Sequence, residues 1–281
     1  MDVAGVLGEW WDLKPLRVVV LAGGMNSAAL LAAADEWRVV VKSVDVGDSA
    51  FRPGLELAAR LGDAGLVTGR PRASKRGRFV ELIEDRQVAV LEYVDGEELE
   101  TSVEDQVAIG DLLGRVHLAA GVEPGDLGDW MRLLLPFDDV LDLEPWIRPA
   151  VEGAIADALA VGPLTWAWLH GDPAAEAFRR QPDGQVGLID WGSAVQGPIL
   201  YDVASAAMYN TPTHVVPAYL RRRPGLADEL ERGLGTFLRV RWAVQAGYFA
   251  WRTANNVLTG ISGPEDNARG LADARRSFGL N

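Results

Sequence analysis

A chain of 281 residues with 40 acidic against 27 basic side chains has a formal charge of −13, which argues against the clustered Lys and Arg that grip nucleic-acid phosphates. It has no cysteine, so disulfides and thiolate metal sites are excluded. No apolar run reaches the roughly 20 residues of a membrane-spanning helix, and the opening Met-Asp-Val-Ala-Gly lacks the basic and apolar regions of a secretory signal. The expected setting is the cytoplasm, with neither nucleic acid nor membrane as a partner. The acidic surplus suits a cationic substrate in an acidic cleft, and equally a surface that is merely solubilising.

In chain order, the first third reads as strands. Residues 16–21 (LRVVVL), 38–44 (RVVVKSV), 78–83 (RFVELI) and 88–93 (VAVLEY) are β-branched runs bounded by turn residues. A helix is predicted over 53–61. Past Asp95-Gly96 the apolar spacing becomes helical, with Val107, Ile109, Leu112, Leu113 and Val116 inside 102–118. Further helices are predicted over 147–161, 200–208, 226–258 and 264–277, interrupted by β-like stretches at 166–170 and 185–190. The expected fold class is α+β: a small antiparallel-sheet lobe over 1–94 and a larger, mostly helical lobe over 95–281.

The chemistry concentrates in LHGDPAAEAF (169–178) and VGLIDWGSAVQGPILYD (186–202). Asp172 and Asp190 each follow an apolar strand, where the chain leaves the core. Two such carboxylates can divide the work of phosphoryl transfer: one accepts the proton of an attacking hydroxyl, the other holds the metal that bridges the phosphates. Lys42 is the one lysine in a strand-like run of the first lobe, and Glu56 on the following helix is its expected partner, because a buried ammonium needs one.

The His-Gly-Asp and Ile-Asp-Trp pair resembles the aminoglycoside phosphotransferase and choline kinase superfamily, of protein-kinase-like fold. The resemblance implies ATP and Mg²⁺ as cofactors, Asp172 as catalytic base and Asp190 as metal ligand. It makes His170 and Asp202 structural supports of the catalytic loop. It places a phosphate-covering loop at Gly23, Gly24, Asn26 and Ser27, and a hinge at Glu92 and Val94 whose backbone meets the base, leaving ATP and GTP both open. One departure stands out. The family's usual asparagine, five residues past the base, is Ala177 here, which cannot bind a cation; Glu176 replaces it as a metal ligand if the loop is bulged by one residue.

In the helical stretch 239–256, Gln245, Phe249 and Arg252 share one face, and the resemblance to the family implies that this region walls the acceptor pocket. His117 is read as a packed core histidine. The acids between 126 and 144 form either an acidic lip for an amine substrate or a solvated surface. The leading functional reading is an ATP- and Mg²⁺-dependent phosphotransferase acting on a hydroxyl of a small molecule, an aminoglycoside-like antibiotic or a metabolite, with nucleotide and acceptor as its partners. The alternatives are a catalytically impaired pseudokinase-like binding module with a partner protein, motivated by Ala177, and a kinase of Ser or Thr in a peptide.

Overall fold

The computed structural model describes residues 2–21, 28–210 and 212–280. Met1–Leu99 and Glu176–Val195 form one compact unit; Glu100–Ala175 and Gln196–Asn281 form the other. The first unit opens with helix α1 (Val3–Val6), capped by Asp2, whose carboxylate accepts from Gly5 N at 3.1 Å. A π-helical turn at Leu7–Trp11 follows. Strands β1 (Arg17–Val20), β2 (Ala28–Ala34) and β3 (Trp37–Asp45) run antiparallel, then helix α2 (Phe51–Asp63) intervenes before β4 (Pro71–Arg72), β5 (Glu81–Ile83) and β6 (Arg86–Glu92). The sheet order is β1-β2-β3-β6-β4, with β5 also paired to β6.

Alternation along β3 decides what each face carries. Val39 and Val41 join Leu7, Trp11, Val88 and Val90 in one core cluster. Val44, of opposite parity, packs with Phe51, Leu55, Val80 and Ala89. Lys42 shares the parity of Val44 and therefore the α2 side of the sheet. The helix buries Phe51, Leu55, Ala58 and Leu61, while Arg52, Glu56 and Arg60, four residues apart, are exposed. Strand β2 was not expected: AALLAAA is alanine-rich and carries no β-branched residue. All seven of its residues pair with β3 in register from Ala28 opposite Ser43 to Ala34 opposite Trp37, so sheet context overrides intrinsic preference.

After β7 (Glu97–Glu98) the chain enters the second unit with α3 (Val103–Ala119), whose cap Ser102 accepts from Asp105 N at 3.1 Å. Helices α4 (Leu127–Leu134) and α5 (Ile147–Leu159) and strand β8 (Trp166–Leu169) follow. The chain then returns to the first unit for β9 (Phe178–Arg180) and β10 (Val186–Leu188), in a sheet ordered β10-β9-β7. That pairing is why 176–195 groups with the first unit, where the sequence reading drew a single cut at residue 94. Strand β11 (Val195–Pro198) pairs with β8, and helices α6 (Ile199–Tyr209), α7 (Pro212–Arg222), α8 (Ala227–Ala254) and α9 (Pro264–Ser277) complete the chain. A glycine is required where α3 meets α7: a Cβ on Gly110 would lie 2.1 Å from the Val215 carbonyl oxygen. Among the described residues, no helix is long and apolar enough to cross a membrane.

Candidate active site

Asp202, in the first turn of α6, is fully buried. Its carboxylate accepts from His170 N at 2.6 Å and Gly171 N at 2.8 Å. His117 Nε2, from α3, lies 3.1 Å from the same group, and His117 Nδ1 is 2.9 Å from the Tyr219 hydroxyl of α7. The close approach of α7 at Gly110 brings Tyr219 within reach; burial drives the Tyr219 pKa up, keeping its hydroxyl neutral. Two backbone N–H groups and an imidazole compensate the desolvated carboxylate. Gly171 has φ +88, a turn favouring glycine, so the residues just ahead of Asp172 are fixed from below. His117 is therefore more than core filling: it links α3, α6 and α7 to that loop.

Asp172 itself is about half exposed at its side chain. Oδ1 accepts from the Tyr209 hydroxyl at 2.8 Å and from Arg241 Nη2 at 2.8 Å. Arg241 Nη2 also donates to Tyr209 Oη at 2.6 Å. Burial alone would lower the Arg241 pKa, but Tyr201, Tyr209 and Asp172 outweigh it and hold the guanidinium above its ordinary value. Burial also pushes the Tyr209 pKa up, beyond what Arg241 draws down, and Tyr201 reaches about 12 by the same cause. Both phenols are neutral at physiological pH, so among the described residues Asp172 is the charge that pairs with Arg241. Sequence reasoning missed Arg241 and Tyr209. The available signal was a cation four residues past Phe237, on the buried stripe of α8.

In the first unit, Lys42 is buried on β3 and pairs with the carboxylate of Asp190. Asp190 follows β10 in the left-handed region, φ 68 and ψ 61, a conformation disfavoured for a non-glycine residue and often tied to function. The neighbouring Trp191 is anchored by its indole N–H to Leu188 O at 2.9 Å, and α2 lies directly against it, since a Cβ on Gly54 would fall 1.9 Å from Trp191 O. The expected Lys42–Glu56 pair is not formed. Glu56 projects from the exposed face of α2 with Arg52 and Arg60, and the lysine's partner is Asp190.

Glu176 is exposed on a 3₁₀ turn, Ala175–Ala177; Ala177 is buried, and its carbonyl accepts from Ile189 N at 2.8 Å. Among the described residues, no group of three or more His, Asp or Glu side chains is placed to hold a metal. Magnesium normally uses one or two carboxylates together with phosphates and water, and Asp190 and Glu176, both on the first unit, supply carboxylates. At the expected hinge, Glu92 ends β6, its N–H donating to Arg70 O at 2.8 Å, and the Val94 and Ile189 side chains both approach Gly69. Gly23, Gly24, Asn26 and Ser27 lie outside the described residues.

The acceptor-pocket expectation for α8 needs correction. Arg252 has no exposed surface: it donates to Asn267 Oδ1 at 2.9 Å, Tyr248 Oη at 3.0 Å and the carbonyls of Val257 and Thr259 at 3.3 and 2.6 Å. Gln245 donates to Gly270 O at 3.1 Å, and the Phe249 ring packs on Gly270. These three residues bind α8 to α9. Helical spacing identified their common face but not what it faced. In the stretch 126–144, Arg148 engages Asp138 and Asp142 at 2.7 and 2.8 Å, holding the Asp142 carboxyl below its usual range. Arg132 pairs with Asp129, and Glu144 accepts from Trp146 Nε1 at 2.7 Å.

An antiparallel sheet bearing a lysine paired to a post-strand aspartate, and a helical unit with a braced His-Gly-Asp turn, make up the protein-kinase-like fold. Solved structures of that fold align along the chain: a spectinomycin phosphotransferase in complex with ADP and spectinomycin (TM-score 0.73, 10% identity, 99% of this chain and 97% of that one), a microcompartment-associated aminopropanol kinase (0.69, 15%, 93% and 90%), and the choline kinase LicA from Streptococcus pneumoniae (0.67, 16%, 97% and 100%). A protein of Deinococcus radiodurans, itself described as uncharacterized, is 26% identical over 221 residues; the match takes in 72% of this chain, which spans 64% of that relative's length. The match to the phosphotransferase enzyme family runs over residues 18–241, and the chain belongs to that family.

Proposed function

We propose that this protein is an ATP- and Mg²⁺-dependent phosphotransferase that modifies a hydroxyl of a small molecule. The observation that carries the reading is the buried Lys42 paired with the left-handed Asp190, a cation and an anion matched to phosphate oxygens and to the cation that accompanies them. Magnesium would supply charge neutralisation across the phosphates. Lys42 holds phosphate oxygens from the sheet, Asp190 with Glu176 presents carboxylates to the metal, and the Glu92–Val94 backbone meets the base. Asp172 orients the acceptor hydroxyl and takes its proton. Asp202 and the His170 backbone keep that carboxylate in place. The relatives named for spectinomycin, aminopropanol and choline support a small hydroxylated acceptor over a peptide.

The test is transfer of labelled phosphate from Mg-ATP, and in parallel from Mg-GTP, to a panel of amino alcohols, aminocyclitols and aminoglycosides, with Lys42→Met and Asp190→Asn beside the wild type. Turnover of at least one acceptor, lost in both variants, is expected. The binding-module reading rests on Ala177, where an oxygen ligand is missing; nucleotide binding without turnover on any acceptor would establish it instead.

A further inference from the structure

Arg241 and Tyr209 converge on one oxygen atom. Among the described residues, every hydrogen bond of Arg241 goes to Asp172 or Tyr209, and its Nε has no partner. Arg252, on the same helix, is different: its bonds reach Asn267, Val257 and Thr259 and hold the scaffold together. A buried guanidinium carries a desolvation penalty that an apolar residue of similar volume would avoid. Packing of α8 therefore gives no reason for a cation at 241. The arrangement at Asp172 does. With two donors on Oδ1, the carboxylate plane is fixed; among the described residues no donor meets Oδ2, on a side chain that is about half exposed.

We propose that Arg241, together with Tyr209, is a positioning residue for phosphoryl transfer: it fixes Oδ1 of Asp172 and makes Oδ2 the oxygen that receives the acceptor's proton. The inference rests on the reading of Asp172 as the base. In the step, the acceptor O–H bond breaks and its proton passes to Oδ2. The acceptor oxygen bonds to the γ-phosphorus as the bond to the departing nucleoside diphosphate breaks. Tyr209 adds a neutral donor that holds the same oxygen without altering the charge. The long helix α8 supplies the rigidity that precise placement of a base demands.

The experiment measures steady-state transfer to the best acceptor by the wild type, R241K, R241A, Y209F and D172N, with rates referred to the fraction that binds nucleotide. For R241A, kcat is expected to fall about 100-fold, with KM for acceptor and nucleotide within about twofold, and added guanidinium is expected to restore part of the rate. R241K should fall less than R241A, and Y209F less again. Folded R241A with wild-type kcat, or with the loss carried by KM alone, overturns the proposal while an inactive D172N leaves the base assignment intact. Full turnover by D172N overturns both. Should R241A fail to fold, Y209F decides, because it removes a donor from the same oxygen: unchanged kcat in Y209F and R241K refutes the positioning role.

Discussion

Gly54→Ala probes the contact that sets Asp190 in place. The new Cβ would fall 1.9 Å from Trp191 O and 3.0 Å from its carbonyl carbon, whereas a carbon meets a carbonyl oxygen comfortably at about 3.3–3.6 Å. The shortfall, roughly 1.5 Å, lies between two backbones, so no side-chain rotation relieves it. Alanine returns about 1 kcal/mol of helix propensity, while overpacking of this kind costs about 3 kcal/mol or somewhat more; the net expectation is a loss of about 2 kcal/mol. Gly235 is the control: it is exposed inside α8 with nothing within 4 Å of its would-be Cβ, so Gly235→Ala should gain up to about 1 kcal/mol. At about 2–4 °C per kcal/mol, thermal unfolding should show Gly54→Ala melting several degrees below wild type and Gly235→Ala slightly above it. Nucleotide affinity should also weaken in Gly54→Ala, because Trp191 carries Asp190 with it. If both variants melt higher, α2 does not press on Trp191 and the account of how Asp190 is placed is wrong.

Other expectations are as direct. Asp202→Ala leaves the His170 and Gly171 N–H groups without their acceptor and should cost about 3–5 kcal/mol in denaturant unfolding, with faster hydrogen exchange at those two amides. Arg252→Met should destabilise by a similar amount, yet leave acceptor KM unchanged in the folded fraction; a raised KM would give Arg252 a place in the acceptor pocket. Alkaline stability follows from Tyr201. An unfolded tyrosine ionises near pH 10, whereas the buried one holds its proton to about 12. In the unfolded state Tyr201 loses its proton between those values and in the folded state it does not, so stability is intact below pH 10 and declines as pH rises toward 12. Tyr201 contributes about 3 kcal/mol of that decline, and Tyr209 and Tyr219, also raised by burial, add to it. Tyr201→Phe should lessen that decline by about 3 kcal/mol in denaturant titrations taken at successive pH values.

Much of the site was legible because its chemistry sits at strand ends. Asp172 and Asp190 follow apolar runs, Asp202 follows a turn into a helix, and Lys42 interrupts a run of valines. The elements that stayed hidden lacked local signals. Strand β2 is written in alanine and leucine and exists because β1 and β3 flank it. Helix α7 contains Pro217, which reads as a breaker, yet it packs against α3 through Gly110. Glu56 is the carboxylate that the following helix offers Lys42, but which face of α2 turns to the sheet is a tertiary fact. Arg241 and Arg252 look alike in sequence, two arginines on one long helix. Only the contacts separate a residue aimed at Asp172 from one that clasps α9.

The most direct test is a single-turnover measurement of labelled phosphate transfer by wild type and Asp172→Asn, at saturating nucleotide and acceptor. The account predicts a transfer rate lower by about 10²–10⁴-fold in the variant, with nucleotide affinity unchanged. Transfer by Asp172→Asn at the wild-type rate would contradict it.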